Sequence, residues 1–199
     1  TAKASLKEAC CYCDYIYLDT DERRRFAQTS HEYLIEQVQA NRGNRYDTTC
    51  VVKHELSFNH PVKEIVWVHV NTTGVKFVYV DNKSGDAGSD DAVLKLNGHD
   101  RFAKRSGDYF KNVQRYQHHT GSQAFTGVSQ KVNVHDHTHV YSFALKPEEH
   151  QPSGTCNFSR IDNAVLVLEH GASGNLTVYA VNYNVLRIMS GMGGLAYSN

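Results

Sequence analysis

No charge of one sign dominates this chain. Lysine plus arginine and aspartate plus glutamate total 21 each over 199 residues, so no global field draws it to DNA, anionic lipid or a basic partner. Long apolar runs are missing as well. Nothing approaches the ~20 residues that span a bilayer, and the opening Thr1-Ala2-Lys3-Ala4 has neither an initiator methionine nor a signal-peptide pattern. We therefore expect a soluble chain, truncated at its start. The five cysteines, Cys10, Cys11, Cys13, Cys50 and Cys156, are an odd number. That is the wrong arithmetic for a secreted disulfide framework and points to a reducing compartment. Internal repeats, coiled-coil heptads and interdomain linkers are absent too, which predicts one domain for a chain of this length.

What is present is apolar and aromatic: 40% of residues are hydrophobic and 11% aromatic, with 12 tyrosines, a composition that suits half-exposed strands and excludes disorder. Period-two apolar runs recur at Glu64 to Val70, Val75 to Val80, Val93 to Leu96, Val140 to Leu145, Ala164 to Leu168 and Leu176 to Ile188. Cys13 to Leu18 is a further strand candidate. His31 to Gln39 fits strand or helix, and we favour strand. Asp19-Thr-Asp-Glu22 supplies an N-cap and early acids ahead of Arg23, Arg24 and Arg25, predicting a short helix between strands. Ser106 to His118, with Tyr109, Phe110, Val113 and Tyr116 at spacings of three and four, and Lys146-Pro147-Glu148-Glu149 predict two more. Asn97-Gly98 signals a tight turn, and Asp81 to Asp91 a surface loop. Many short strands and few helices predict an all-β antiparallel sandwich with short helices in its connections. Greek-key and jelly-roll topologies both satisfy this pattern.

Few clusters could carry chemistry. His135-Asp-His137-Thr-His139 would present three imidazoles on one face of a strand, as in the cupins, metal enzymes built on jelly rolls. The carboxylate that completes a cupin ligand set is missing: Tyr141, Ser142, Phe143 and Ala144 fill its window. The plainer reading is a strand entering from a polar rim, with Tyr141, Phe143 and Leu145 continuing the same face into the core. Cys10-Cys11-Tyr12-Cys13 could hold a soft metal, but no second ligand pair stands at finger-like spacing, so free thiols are expected. Nothing local marks Cys50 or Cys156 as a nucleophile. The acids before Arg23 to Arg25 cancel their field, against a phosphate site. Gly191-Met-Gly-Gly194 lacks the ending of a phosphate loop and reads as a flexible terminal turn. The sequons at Asn71, Asn82, Asn157 and Asn175 read mostly as chance matches. No catalytic, cofactor-binding or metal residue is assigned.

Five longer segments carry a resemblance. They are Asp14-Tyr-Ile-Tyr-Leu-Asp-Thr-Asp-Glu-Arg-Arg-Arg-Phe-Ala-Gln28, His31-Glu-Tyr-Leu-Ile-Glu-Gln37, Phe58-Asn-His-Pro-Val-Lys-Glu64, the run from Tyr141-Ser-Phe-Ala-Leu-Lys-Pro147 to Arg160-Ile-Asp-Asn163, and the run from Asn182-Tyr-Asn-Val-Leu-Arg187 to Gly194-Leu-Ala-Tyr197. In this order they resemble the major capsid proteins of nucleocytoplasmic large DNA viruses, the group that includes iridoviruses and phycodnaviruses. Residues before Asp14, and the stretches 81–92 and 120–139, carry no family wording. The resemblance implies a structural protein and not an enzyme, with two consecutive jelly rolls per subunit. This chain would be the second roll: residues 1–29 would be the end of the first and a connecting helix, and residues 30–199 the C-terminal jelly-roll domain. It further implies a homotrimeric, pseudo-hexagonal capsomer that self-assembles with neighbouring capsomers and minor capsid proteins into an icosahedral virion shell, built in the host cytoplasm. Neither direct contact with nucleic acid, nor membrane insertion, nor a cofactor is implied.

A shell protein needs surfaces instead of a catalytic cluster, and obligate interfaces have apolar, aromatic-rich cores. Tyr109, Phe110, Tyr116 and Phe158 are the interface candidates, as aromatics on loops and short helices. Two rival classes are the cupin-like metal-binding jelly roll using His135, His137 and His139, and a carbohydrate-binding module. Without a preceding jelly roll the chain would expose apolar surface, so poor solubility is expected of the isolated piece.

Overall fold

The computed structural model describes residues 8–46, 50–73, 76–79, 91–120, 138–170 and 174–198. In chain order they form α1 (Thr20–Gln28), β1 (His31–Tyr46), β2 (Cys50–Glu55), β3 (Pro61–Thr73), β4 (Lys76–Tyr79), β5 (Ala92–Leu96) and β6 (His99–Asp100). A π-helical stretch, Tyr109–Val113, runs into α2 (Gln114–His118). Then come β7 (Thr138–Ser142), β8 (Cys156–Asn157), a 3-10 turn at Phe158–Arg160, β9 (Ala164–His170), β10 (Gly174–Met189) and β11 (Met192–Leu195).

The strands make two antiparallel sheets. In the larger, β10 lies between β1 and β3, and the far edge of β3 pairs in succession with β8, β7 and β4. The smaller runs β2-β9-β5-β6. One core lies between them, because alternate side chains of each strand point inward. Ile65, Trp67, Leu176, Val178 and Ala180 come from the larger sheet, and Ala92, Leu94, Ala164, Leu166 and Leu168 from the smaller. Register lines these up: Trp67 stands between Val178 of β10 and His139 of β7, and Ile65 between Ala180 and Tyr141. The expected all-β jelly-roll sandwich is the fold that forms.

Local sequence explains the connections. Asp19 caps α1, its carboxylate accepting from the Thr20 amide at 2.6 Å, and acids in the first turn with Arg25 in the last suit the helix dipole. Asn97 and Gly98 both adopt positive φ, as the two-residue turn between β5 and β6 requires. Gly154 sits at φ 146°, and a Cβ there would lie 2.8 Å from the Phe143 carbonyl oxygen, so only glycine lets these two loops close on each other.

Four expectations need correction. Cys13 to Leu18 forms no strand; it is exposed and without regular secondary structure, because no described strand offers it a ladder and alternation alone does not satisfy backbone groups. Lys146 to Glu149 makes a single turn, closed by the Glu149 amide on the Lys146 carbonyl, too short to nucleate a helix. Gly191 to Gly194 is a terminal turn only at its start: Ser190 and Gly191 make the turn, and Met192–Leu195 pairs with β10. Leu145 does not continue the core face of β7, which ends at Ser142, and its side chain is exposed. Residues 81–90, with Asn82, lie outside the described residues.

Candidate assembly surfaces

Among the described residues the sequence-derived clusters do not converge on a chemical site. His135 and His137 lie outside the described residues, whereas His139 is in the core, stacked on the Trp67 indole with centroids 5.4 Å apart and planes 8° from parallel. Cys10, Cys11 and Cys13 are exposed free thiols, with 3.6 Å between the Cys11 and Cys13 sulfurs. Half-buried Cys156 is also free, and burial raises its pKa. Among the described residues no group of three or more His, Cys, Asp or Glu side chains could hold a metal.

The four aromatic candidates divide by burial. Phe110 is fully enclosed, tilted 5.1 Å from Trp67 and 5.4 Å from Phe102. Phe158 is buried edge-on to Phe58 and Phe143. Neither reaches the surface, so both serve this chain's own core; spacing at three and four marks the apolar face of a helix without saying what covers it. Tyr109 is half-buried under the Arg105 guanidinium, 4.6 Å from its ring centroid. Tyr116, in α2, is 81% exposed.

α2 closes one side of the sandwich. The buried Gln114 amide donates to the Tyr109 hydroxyl at 2.8 Å, and its carbonyl oxygen accepts from the Ser142 amide of β7 at 3.2 Å. An edge amide that would otherwise be orphaned is thereby satisfied. On the other side β1 does the same work with side-chain amides. Gln39 donates to the Asn59 carbonyl at 2.7 Å and accepts from the Asn59 amide at 3.0 Å, while Asn41 donates to the Glu55 carbonyl at 3.1 Å.

The larger surface was missed by sequence reading. Strands of the smaller sheet are seven residues or shorter, whereas β1 and β10 have 16 each. Of β10 only Leu176, Val178 and Ala180 join the core cluster. The rest of the ladder, His31 to Gln37 against Asn182 to Ile188, runs on with β11 beside it. Amides hold this overhang together: Asn182 accepts from Gln39 at 3.0 Å, and Asn184 donates to Gln37 at 3.0 Å and to the Tyr197 carbonyl at 2.9 Å. The cross-strand pair Glu32 and Arg187 adds an ion pair at 2.7 Å. Outward from it stand Tyr33, Met189, Met192, Leu195 and Tyr197, and beyond α1 the exposed Tyr15, Ile16 and Tyr17. The signal in the sequence was the length of the Leu176 to Ile188 alternation, about twice that of the other strands.

Comparisons agree with this geometry. A sequence profile described as large eukaryotic DNA virus major capsid protein matches residues 22–194. The major capsid protein of Pyramimonas orientalis virus is 52% identical over 209 residues, covering 98% of this chain and 50% of that protein. That of Paramecium bursaria Chlorella virus 1 is 40% identical over 244 residues, covering 94% and 53%. Among solved structures, a chain of the PBCV-1 virus capsid superposes with a TM-score of 0.72 at 39% identity, over 93% of this chain and 56% of that one. The chain thus spans about half the length of the curated relatives it matches. With its jelly-roll fold and with residues 22–194 under the profile, the chain belongs to the family of large eukaryotic DNA virus major capsid proteins.

Proposed function

We propose that this chain is the C-terminal jelly roll of a shell subunit whose function is assembly and not catalysis, with two consecutive jelly rolls per subunit and three subunits per pseudo-hexagonal capsomer. Residues 1–29 then end the preceding roll and supply the connecting helix, and residues 30–199 form the second roll. The observation that carries this reading is the overhang of β1, β10 and β11, which sets Tyr33, Met189, Met192 and Leu195 outside the chain's own core. Apolar groups in such a position are what an obligate interface buries. Cys13 to Leu18, which has no ladder here, gains one in the preceding roll. Tyr116 is the interface candidate that keeps a free aromatic face, and Tyr109 contributes its exposed edge. Capsomers then pack against one another and against minor capsid proteins in the virion, after assembly in the host cytoplasm. No helix among the described residues is long and apolar enough to cross a membrane.

Mass photometry of the full-length protein tests the reading. A particle of three chain masses is the expected result, since closed cyclic symmetry caps the assembly at a defined size. A strict monomer under all assembly conditions overturns it.

A further inference from the structure

Both ring nitrogens of His119 face carboxylates. Nε2 lies 2.9 Å from Oε2 of Glu64 on β3, and Nδ1 lies 3.3 Å from Oε1 of Glu148 in the 146–149 turn. A neutral imidazole has one N–H and one lone pair, so one of these contacts would set a lone pair against a carboxylate; only the imidazolium is attracted to both, and it is so as an ion pair, since Nε2 and the Glu64 Oε2 it faces are not in hydrogen-bonding alignment. Position matters as much as charge. His119 is the C-cap of α2, its amide donating to the Arg115 carbonyl, and the next residue, Thr120, gives its amide (3.0 Å) and hydroxyl (2.5 Å) to the same Glu148 carboxylate. One side chain therefore ties together a strand, the end of a helix and a turn.

We propose that His119 is a proton-operated clamp: protonated, it fastens the end of α2 and the 146–149 turn to β3, and on losing its proton it lets the turn go. The other charges nearby do not compete for the role. Lys63, next to Glu64 in sequence, is taken by Glu36 at 2.8 Å, and Lys146 pairs with Glu149 at 3.1 Å. His118 points its Nδ1 at the Leu145 carbonyl, 3.0 Å away, and Arg115 lies one turn back on α2. The Glu64 carboxylate, aided by Glu148, raises the pKa of His119 above its usual value against the burial that lowers it, so the clamp is closed below that raised pKa and opens as pH rises through it. Glu64 is closer and more deeply buried than Glu148. When the ring gives up a proton to solvent, the contact to the more exposed Glu148 is therefore the one that breaks. Above that transition Glu148 is tied to the end of α2 through Thr120 alone, and the surface around exposed Tyr116 loosens.

The test follows two signals on the folded chain: the His119 ring nitrogens by NMR, and hydrogen exchange of the Thr120 amide, corrected for its intrinsic pH dependence. Thr120 opening is expected to increase about tenfold across the transition, the equivalent of one pKa unit of interaction, with its midpoint on the His119 titration. In His119→Gln the protection is low and flat with pH. In Glu148→Gln the His119 midpoint falls towards the ordinary value while the melting temperature holds. Flat Thr120 exchange in the parent, a pH dependence that survives in His119→Gln, or an unmoved midpoint in Glu148→Gln each overturns the clamp. Should His119→Gln fail to fold, coincidence of the two parent titrations and the Glu148→Gln shift still decide it.

Discussion

A histidine inside an apolar core stays neutral because charging it there forfeits its hydration. His69, fully buried next to Leu176 on the inner face of β3, has its pKa lowered by burial to about 4. The consequence for stability has a definite sign. Above pH 6.5 neither folded nor unfolded chain binds this proton; between 6.5 and about 4 the unfolded chain takes it and the folded chain refuses it. Stability therefore falls with pH through that window, by up to about 3 kcal/mol from this residue. Buried His54, also lowered by desolvation, adds to the slope. Urea midpoints measured at a series of pH values between 7.5 and 4.5 check this, and His69→Leu should flatten part of the decline; an unchanged slope in that variant assigns the acid lability elsewhere. The same chemistry explains why His139 could not be read from its spacing. Alternation told which face it shares with Tyr141, but not that Trp67 would stand directly across the ladder and stack on it.

Elements, in contrast, were legible wherever the signal was local. The α1 cap, the Asn97-Gly98 turn, the helix before His118 and the strand runs all rest on residues within a few positions of one another. What failed was pairing. Cys13 to Leu18 has the composition of a strand and no ladder, while Met192–Leu195 has too little side chain to look like one yet finds β10 across a tight turn. The amide brackets of β1 were invisible for the same reason, since Gln39 and Asn59 are 20 residues apart and meet only after both sheets form. These brackets make a prediction at this scale. Gln39→Ala strips partners from the Asn59 amide and carbonyl and from Asn182, and should cost about 1–2 kcal/mol. Adding Asn41→Ala should lower stability further by a similar amount, with denaturant unfolding as the measure. A double variant as stable as the parent means that the segment after β2 is held by its backbone alone.

At the scale of the whole molecule, the two sheets are unequal, and the surplus of the larger one determines behaviour in solution. Met189, Met192 and Leu195 are exposed together at the β10–β11 hairpin, so the isolated chain is expected to self-associate at micromolar concentrations. Met192→Glu combined with Leu195→Glu should shift light scattering towards the monomer without lowering the melting temperature, because neither side chain is in the core. A parent that is already a clean monomer removes this surface from consideration. The order of the sheets has a further consequence, for synthesis. β10 joins β1 to β3, and contacts such as Glu32 with Arg187 span 155 residues. Until the ribosome has released the last long strand, the earlier strands of the larger sheet have no shared neighbour and stand as open edges. Such non-local closure is slow, and unpaired edges invite aggregation. Folding of this domain must therefore wait until Gly174–Met189 has been synthesised, and a nascent chain halted before Gly174 is the form that most needs a chaperone.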